Sequence, residues 1–308
     1  MRLHITSGRW KLGLALSLIT AALWGSLPIA LKILLTDMQA QTVVWYRFSV
    51  AAVLLGAGLA WRRDLRPAWP RGRTVWGLLA VASLGFSANN VLFVAGLGYV
   101  TATGGQVVIQ LAPMLLLLGS VAIFKERFGG AQIAGLFLLL GGILLFFHER
   151  VGELLGNFTG YALGIVLVVL AAFAWAFYAL AQKQLLANYG SAGLMWMLYA
   201  SGAVLLFPLA HPAQLAALDA TQTVALLYCA ILTVLGYGAF AEALAHWEAS
   251  RVSAVVAVTP LLTWLINRMA SILMPSYVKA DHLSAWSLLG AALVTVGCAF
   301  AALSRQRH

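Results

Sequence analysis

Polarity along this chain changes on a long scale. Apolar runs bounded by charged or turn residues fall at roughly 12–35, 41–61, 74–98, 103–124, 130–147, 160–186, 191–210, 222–246, 251–274 and 284–303. A helix needs about 20 apolar residues to cross the hydrocarbon core, so the pattern predicts ten membrane-spanning helices. A transmembrane barrel would show short segments of alternating polarity instead. The ninth run is the least regular, because Asn267 and Arg268 interrupt it and the polar stretch Lys279 to His282 follows.

The two halves resemble each other. A shift of 151 lays the first run on the sixth, pairing Trp24 with Trp175 and Lys32 with Lys183, and also Trp45 with Trp196. With a shift of 147 the third and fourth runs meet the eighth and ninth, so that Phe93 pairs with Phe240, Leu97 with Leu244 and Pro113 with Pro260. A shift of 155 brings Gly135 and Gly142 onto Gly290 and Gly297. The organisation expected is a five-helix repeat over 1–150 and a second over 151–308, integrated into one membrane domain. Five is odd, so the second repeat enters the bilayer from the opposite side, a construction that places a transporter's binding site near the midplane between repeats.

Composition agrees. Residues AVILMFWYC make up 62% of the 308, DEKR 9%, and the mean hydropathy is +0.92, against about 45–50% apolar and about 25% charged in a soluble domain. Ten spans leave no room for a separate extramembrane domain. The net charge of +10 does not point to nucleic acid, because the cations sit in short segments between apolar runs and act as topology signals. With the N-terminus cytoplasmic, the inner segments hold Arg2, Arg9, Lys11, Arg62, Arg63, Arg66, Arg71, Arg73, Lys125, Arg127, Lys183, Arg251, Arg305 and Arg307, while the outer ones hold Arg150 and Lys279. Fourteen against two predicts both termini on the cytoplasmic side of a bacterial inner membrane. The first run continues through Leu23 to Pro28 without a small-residue cleavage site and reads as a retained span. Cys229 and Cys298 lie inside apolar runs as packing residues; no disulfide, metal site or cofactor is expected.

The chain resembles the drug/metabolite transporter superfamily, specifically ten-helix carriers of the EamA type. The resemblance rests on Ala22-Leu23-Trp24-Gly25-Ser26, on Pro113 with Phe124-Lys125-Glu126-Arg127, on Gly135 and Gly142, and on Ala174-Trp175-Ala176 with Pro260 in the second half. It implies export of small organic solutes such as amino acids from a cavity lined by both halves, with the aromatic amino-acid exporters as the members to compare first. The second half departs from the pattern after the ninth run, where Asn267, Arg268 and a longer link stand in place of an acidic residue.

Several residues are candidates for the chemistry. Gln106, Gln110 and Pro113 follow i, i+4, i+7 spacing and share one helix face. Lipid offers their amides no partner, so they meet either a zwitterionic solute or a neighbouring helix. Asn89, beside Asn90, has the same two readings. Pro113 and Pro260 mark matching mid-span positions where a missing N–H frees backbone, as a hinge or a static kink. Glu242 and His246 are four apart near the inner end of the eighth run, a candidate proton-coupling pair or a helix-end pair; Glu248 follows. Lys32 and Lys183 match under the repeat and read as interfacial anchors or as a carboxylate-attracting gate, Arg47 lies within a span near the outer face, and Arg268 lies further from any end. Trp24, Trp175, Tyr178 and Trp264, with Phe86, Phe93, Tyr99 and Phe240, would suit an apolar or aromatic substrate side chain. The rival function, an integral-membrane transferase acting on a lipid or lipid-linked substrate, wants a cluster of His, Asp, Glu or Cys at one face, and only Glu242, His246 and Glu248 approach it.

Overall fold

The computed structural model describes residues 9–61, 72–124, 129–152, 159–186, 189–247 and 249–303, and every regular element among them is helical. In chain order these are α1 (Trp10–Leu34), α2 (Ala40–Trp61), α3 (Arg73–Leu97), α4 (Ala102–Ile109), α5 (Leu111–Phe124), α6 (Gly130–Phe146), α7 (Gly160–Leu185), α8 (Ser191–Leu206), α9 (Ala220–His246), α10 (Ala249–Val256), α11 (Thr259–Leu273) and α12 (Ala285–Leu303). Eight helical stretches are long and apolar enough to cross a membrane, and two shorter apolar helices, Ala102–Leu116 and Gly130–Phe146, accompany them. Val53, Phe137, Leu144, Val204, Ile272 and Leu273 are each at least 70% exposed. Water would not tolerate so much outward apolar surface, so the bundle is a multi-pass membrane protein.

Neighbouring helices run antiparallel and approach through small residues. Along α1 and α9, Trp24 packs on Gly236 and the Ser26 and Tyr228 hydroxyls meet at 2.6 Å. Between α3 and α7, Gly85 faces Tyr178 and Gly96 faces Gly164. Phe48 of α2 fills the space over Gly202 of α8, and Gly56 receives Trp196. The closest crossing is α6 on α12, where Gly135 meets Gly297 and Gly142 meets Gly290. Without a hydrophobic drive between helices in lipid, this close backbone approach is what dispersion forces use to hold the bundle.

Two runs that read as continuous spans are broken. The fourth splits into α4 and α5 at Gln110, and the ninth into α10 and α11 at Ala257 and Val258. Pro113 and Pro260 are thus not mid-helix kinks. Each lies in the first turn of a new half-helix, where a missing N–H costs no intrahelical bond. Thr259 Oγ1 donates to Val256 O at the second break. The interruption expected at Asn267 and Arg268 does not occur: α11 runs through both, with Asn267 buried and Arg268 exposed.

Candidate substrate site and cavity

The predicted aromatic residues largely converge. Trp24 lies 5.5 Å from Tyr237 and 5.4 Å from Phe240 between ring centroids. Tyr237 touches Phe86 and Tyr199, Phe86 stacks on Phe48 at 4.9 Å, and Tyr178 joins Phe86 to Trp175. One connected set therefore links α1, α2, α3, α7, α8 and α9. Edge and offset geometries of this kind suit the ring quadrupoles. Phe93 is half-buried nearby, whereas Tyr99 is 50% exposed and Trp264, half-buried on α11, makes no ring contact among the described residues.

The polar stripe is held by backbone. Pro28 lies inside α1 and has no N–H, so the Trp24 carbonyl loses its helical donor. Gln106 Nε2 supplies one at 2.8 Å. Gln110 Nε2 donates to Ala257 O at 3.2 Å, joining the break in one span to the break in the other. Thr263 Oγ1 reaches Gly25 O at 2.8 Å. Asn89 donates to Ala171 O of α7 at 2.9 Å, while Asn90 turns back to Phe86 O in its own helix at 3.0 Å. Gln106, Gln110 and Asn89 each bind a helix carbonyl through the amide nitrogen, and the Asn89 oxygen accepts from Asn90 Nδ2 at 3.5 Å. Replacing Gln110 by Leu is expected to lower the melting temperature of the purified protein, because Ala257 O is then buried without a donor at a cost of about 1–3 kcal/mol. An unchanged melting temperature would show that the stitch carries no stability.

A cavity of about 500 Å³ opens at the end of the bundle where α1 and α3 terminate, within the range of small-molecule sites. Ile29, Lys32, Val100, Thr101, Tyr161 and Asn267 are among its walls, and Lys279 to Asp281 form its rim. Lys32 Nζ donates to Leu97 O and Val100 O at 2.7 Å each, capping the end of α3 rather than anchoring in lipid headgroups. Arg150 stacks over the Tyr161 ring at 4.4 Å. The long link after α11 folds inward. Asp281 Oδ2 accepts from Thr103 N at 2.9 Å and Thr103 Oγ1 at 2.7 Å, at the start of α4, while Asn267 accepts from Asp281 N at 2.7 Å. Beyond the rim, hydrogen bonds from the Gln222 side chain and from Thr36 hold the Asp37 carboxyl below the usual range, and the backbone amide of Gln222 does the same for Asp219.

Glu242 and His246 are hydrogen-bonded at 3.1 Å, with the Glu242 side chain 62% exposed and His246 14%. Glu248 and the 62–71 and 125–128 links lie outside the described residues. Sequence reasoning left one cation without a role. Arg47, placed within a span near the outer face, is 2% exposed and donates from Nε to Thr233 Oγ1 of α9 at 3.0 Å. Its position seven residues into an apolar run was the available signal.

The model of the EamA-like transporter family matches residues 11–148 and again 162–303. The chain belongs to that family. It is a membrane transporter of the drug/metabolite type, as the helix 1 and helix 4 motifs implied. Relatives bear this out over nearly the whole length. "Uncharacterized inner membrane transporter YhbE" of Escherichia coli K12 is 38% identical over 296 residues, covering 96% of this chain and 92% of the relative. An "Uncharacterized transporter" of Haemophilus influenzae is 38% identical over 295 residues, 96% of each chain. At 24% over 300 residues, 92% of each chain, stands a "Probable amino-acid metabolite efflux pump" of Escherichia coli K12. A solved crystal structure of 17% identity shares the fold with a TM-score of 0.67, covering 96% of this chain and 99% of that chain.

Proposed function

We propose that this transporter exports a small organic metabolite, an amino acid or related zwitterion, by alternating access between two inverted five-helix repeats of a bacterial inner-membrane protein. The observation that carries the reading is the stitch between the two broken spans. Gln110 bonds Ala257, and these residues, 147 apart, are the ones the internal repeat pairs with each other. Broken helices facing each other across a repeat axis present loose backbone polar groups near the midplane, where carriers bind solute. The α6 and α12 crossing supports the same axis, since Gly135 meets the repeat partner of Gly142 and the reverse, the reciprocity of a two-fold contact. The double family match, 11–148 and 162–303, divides the chain as the repeats do.

Trp24, Trp175, Tyr178, Asn89, Gln106, Gln110 and Trp264 remain the proposed substrate-contacting set, with Pro113 and Pro260 at the moving breaks. The cation asymmetry places both termini inside and turns the cavity bounded by Lys32 and Asp281 outward. Glu242 with His246, at the opposite end of α9 from Asp219, is the pair proposed to carry a coupling proton. The name of the amino-acid metabolite efflux relative and the aromatic set favour a solute with an amino-acid headgroup and an apolar side chain.

The expected result is saturable counterflow of radiolabelled L-phenylalanine or another apolar amino acid into proteoliposomes loaded with the same solute. A full panel of amino acids with no counterflow, beside an active non-zwitterionic solute, would overturn the substrate reading. A cysteine placed in the 62–73 link and labelled from outside intact cells would overturn the orientation.

A further inference from the structure

We propose that Arg47 is the anion-receiving residue of the transport site, and hence that the transported solute carries a carboxylate. The proposal rests on the transport reading above and names the part of the solute that α2 recognises.

Arg47 and Lys32 are both intramembrane cations, yet only one is satisfied. The Lys32 ammonium caps two carbonyls at the end of α3. For Arg47 the sole hydrogen bond among the described residues runs from Nε to Thr233 Oγ1. That hydroxyl already gives its own proton to Cys229 O at 2.7 Å, and Tyr199 donates to Thr233 O at 3.3 Å. A guanidinium has five N–H donors; neither Nη nitrogen has a partner among the described residues, and neither is fully enclosed, so both face a small open space although the side chain as a whole is 98% removed from solvent. The ionisable groups acting on it are Cys229, Tyr237 and Tyr199, all neutral near pH 7. No described carboxylate forms an ion pair with it.

An uncompensated buried charge is costly, and arginine cannot escape the cost by losing its proton. Within a membrane such a residue is kept for a ligand more often than for packing. With Nε engaged by Thr233, the open Nη1/Nη2 edge of the fork matches a carboxylate, which takes paired N–H···O bonds. The surroundings complete the match to an amino acid or aryl acid. Tyr199 and Tyr237, which face Arg47, belong to the aromatic set that reaches Trp24 and Phe86. A solute's apolar body enters that set while its carboxylate meets α2. A fully buried polar atom without a partner lies in the same region: Ser87 Oγ, over Gly202 beside Phe48.

The test compares three probes on the full-length protein purified in detergent, by calorimetry and thermal shift: phenylacetate, L-phenylalanine and phenethylamine, which lacks the carboxylate. Wild type is expected to bind the first two and to discriminate against the amine. Arg47→Gln is expected to weaken both carboxylates by about 10- to 100-fold, the range for losing hydrogen bonds to a charged partner, while Arg47→Lys recovers part of the loss. Unliganded Arg47→Gln is expected to melt no lower than wild type, because an uncompensated charge has been removed. Unchanged carboxylate affinity in Arg47→Gln overturns the proposal, as does failure of both carboxylates to bind wild type at millimolar concentration. If Arg47→Gln does not fold, the wild-type comparison decides, and phenethylamine binding as tightly as phenylacetate overturns it. Counterflow left intact by Arg47→Gln removes Arg47 from the site and leaves the transport reading standing. Arg47-dependent carboxylate binding without any counterflow does the reverse.

Discussion

Gly142→Leu is expected to abolish folding, while Leu at the adjacent Gly141 is expected to leave stability nearly unchanged. A Cβ on Gly142 would fall 2.7 Å from the Val294 amide nitrogen and 2.8 Å from the Gly290 carbonyl oxygen. Both are backbone atoms, so no rotamer change relieves the contact and α6 must separate from α12. Overpacking of this kind costs about 1–3 kcal/mol for a small addition and more for a large one, so Gly142→Ala should fold with a lowered melting temperature and Gly142→Leu should not. Gly141 faces outward with nothing within 4 Å of an added Cβ, and a leucine there meets lipid. Fluorescence-detected size exclusion and thermal melting of detergent-extracted protein separate the cases. Equal melting of Gly142→Ala and Gly141→Leu would show that the crossing is not as close as described.

Asp281→Ala is expected to release the link over the cavity. The carboxylate satisfies both the amide and the hydroxyl of Thr103 at the start of α4, where a negative charge is also favoured by the helix dipole. Bonds of that charged type contribute about 1.5–3 kcal/mol, which corresponds to roughly 10- to 150-fold in a local opening equilibrium. Amide hydrogen exchange across 277–283 should accelerate by that order, with the rest of the bundle unaffected. Lys279→Ala, on the same rim, removes no bond to Thr103 and should change exchange little. Unaltered exchange in Asp281→Ala would mean that Asn267, which accepts from Asp281 N and donates to Lys279 O, holds the link alone.

Much of this architecture was written in the chain. Every helix that crosses lipid must satisfy its own backbone and turn apolar side chains outward, so membrane-length helices were legible from run length. The glycines that the shift of 155 singled out, Gly135, Gly142, Gly290 and Gly297, are the ones at which α6 and α12 approach each other. Trp24, Phe86, Trp175, Tyr178 and Phe240 of the aromatic cluster could be nominated because they fall on helices expected to face the centre, whereas Phe48, Tyr199 and Tyr237 could not.

What only the tertiary structure decided is which face of each helix meets which neighbour. In water, burial shows as amphipathicity; in lipid both the outward and the inward face of a span are apolar, so rotation about the helix axis leaves almost no trace in polarity. Arg47 therefore read only as a cation within a span near the outer face, and its burial against Thr233 depends on how α2 turns toward α9. The breaks at Gln110 and Val258 were hidden likewise: a proline marks a lost N–H, but whether the helix bends or stops depends on whether other groups, here Thr259 on Val256 and Gln110 on Ala257, are placed to take up the freed carbonyls.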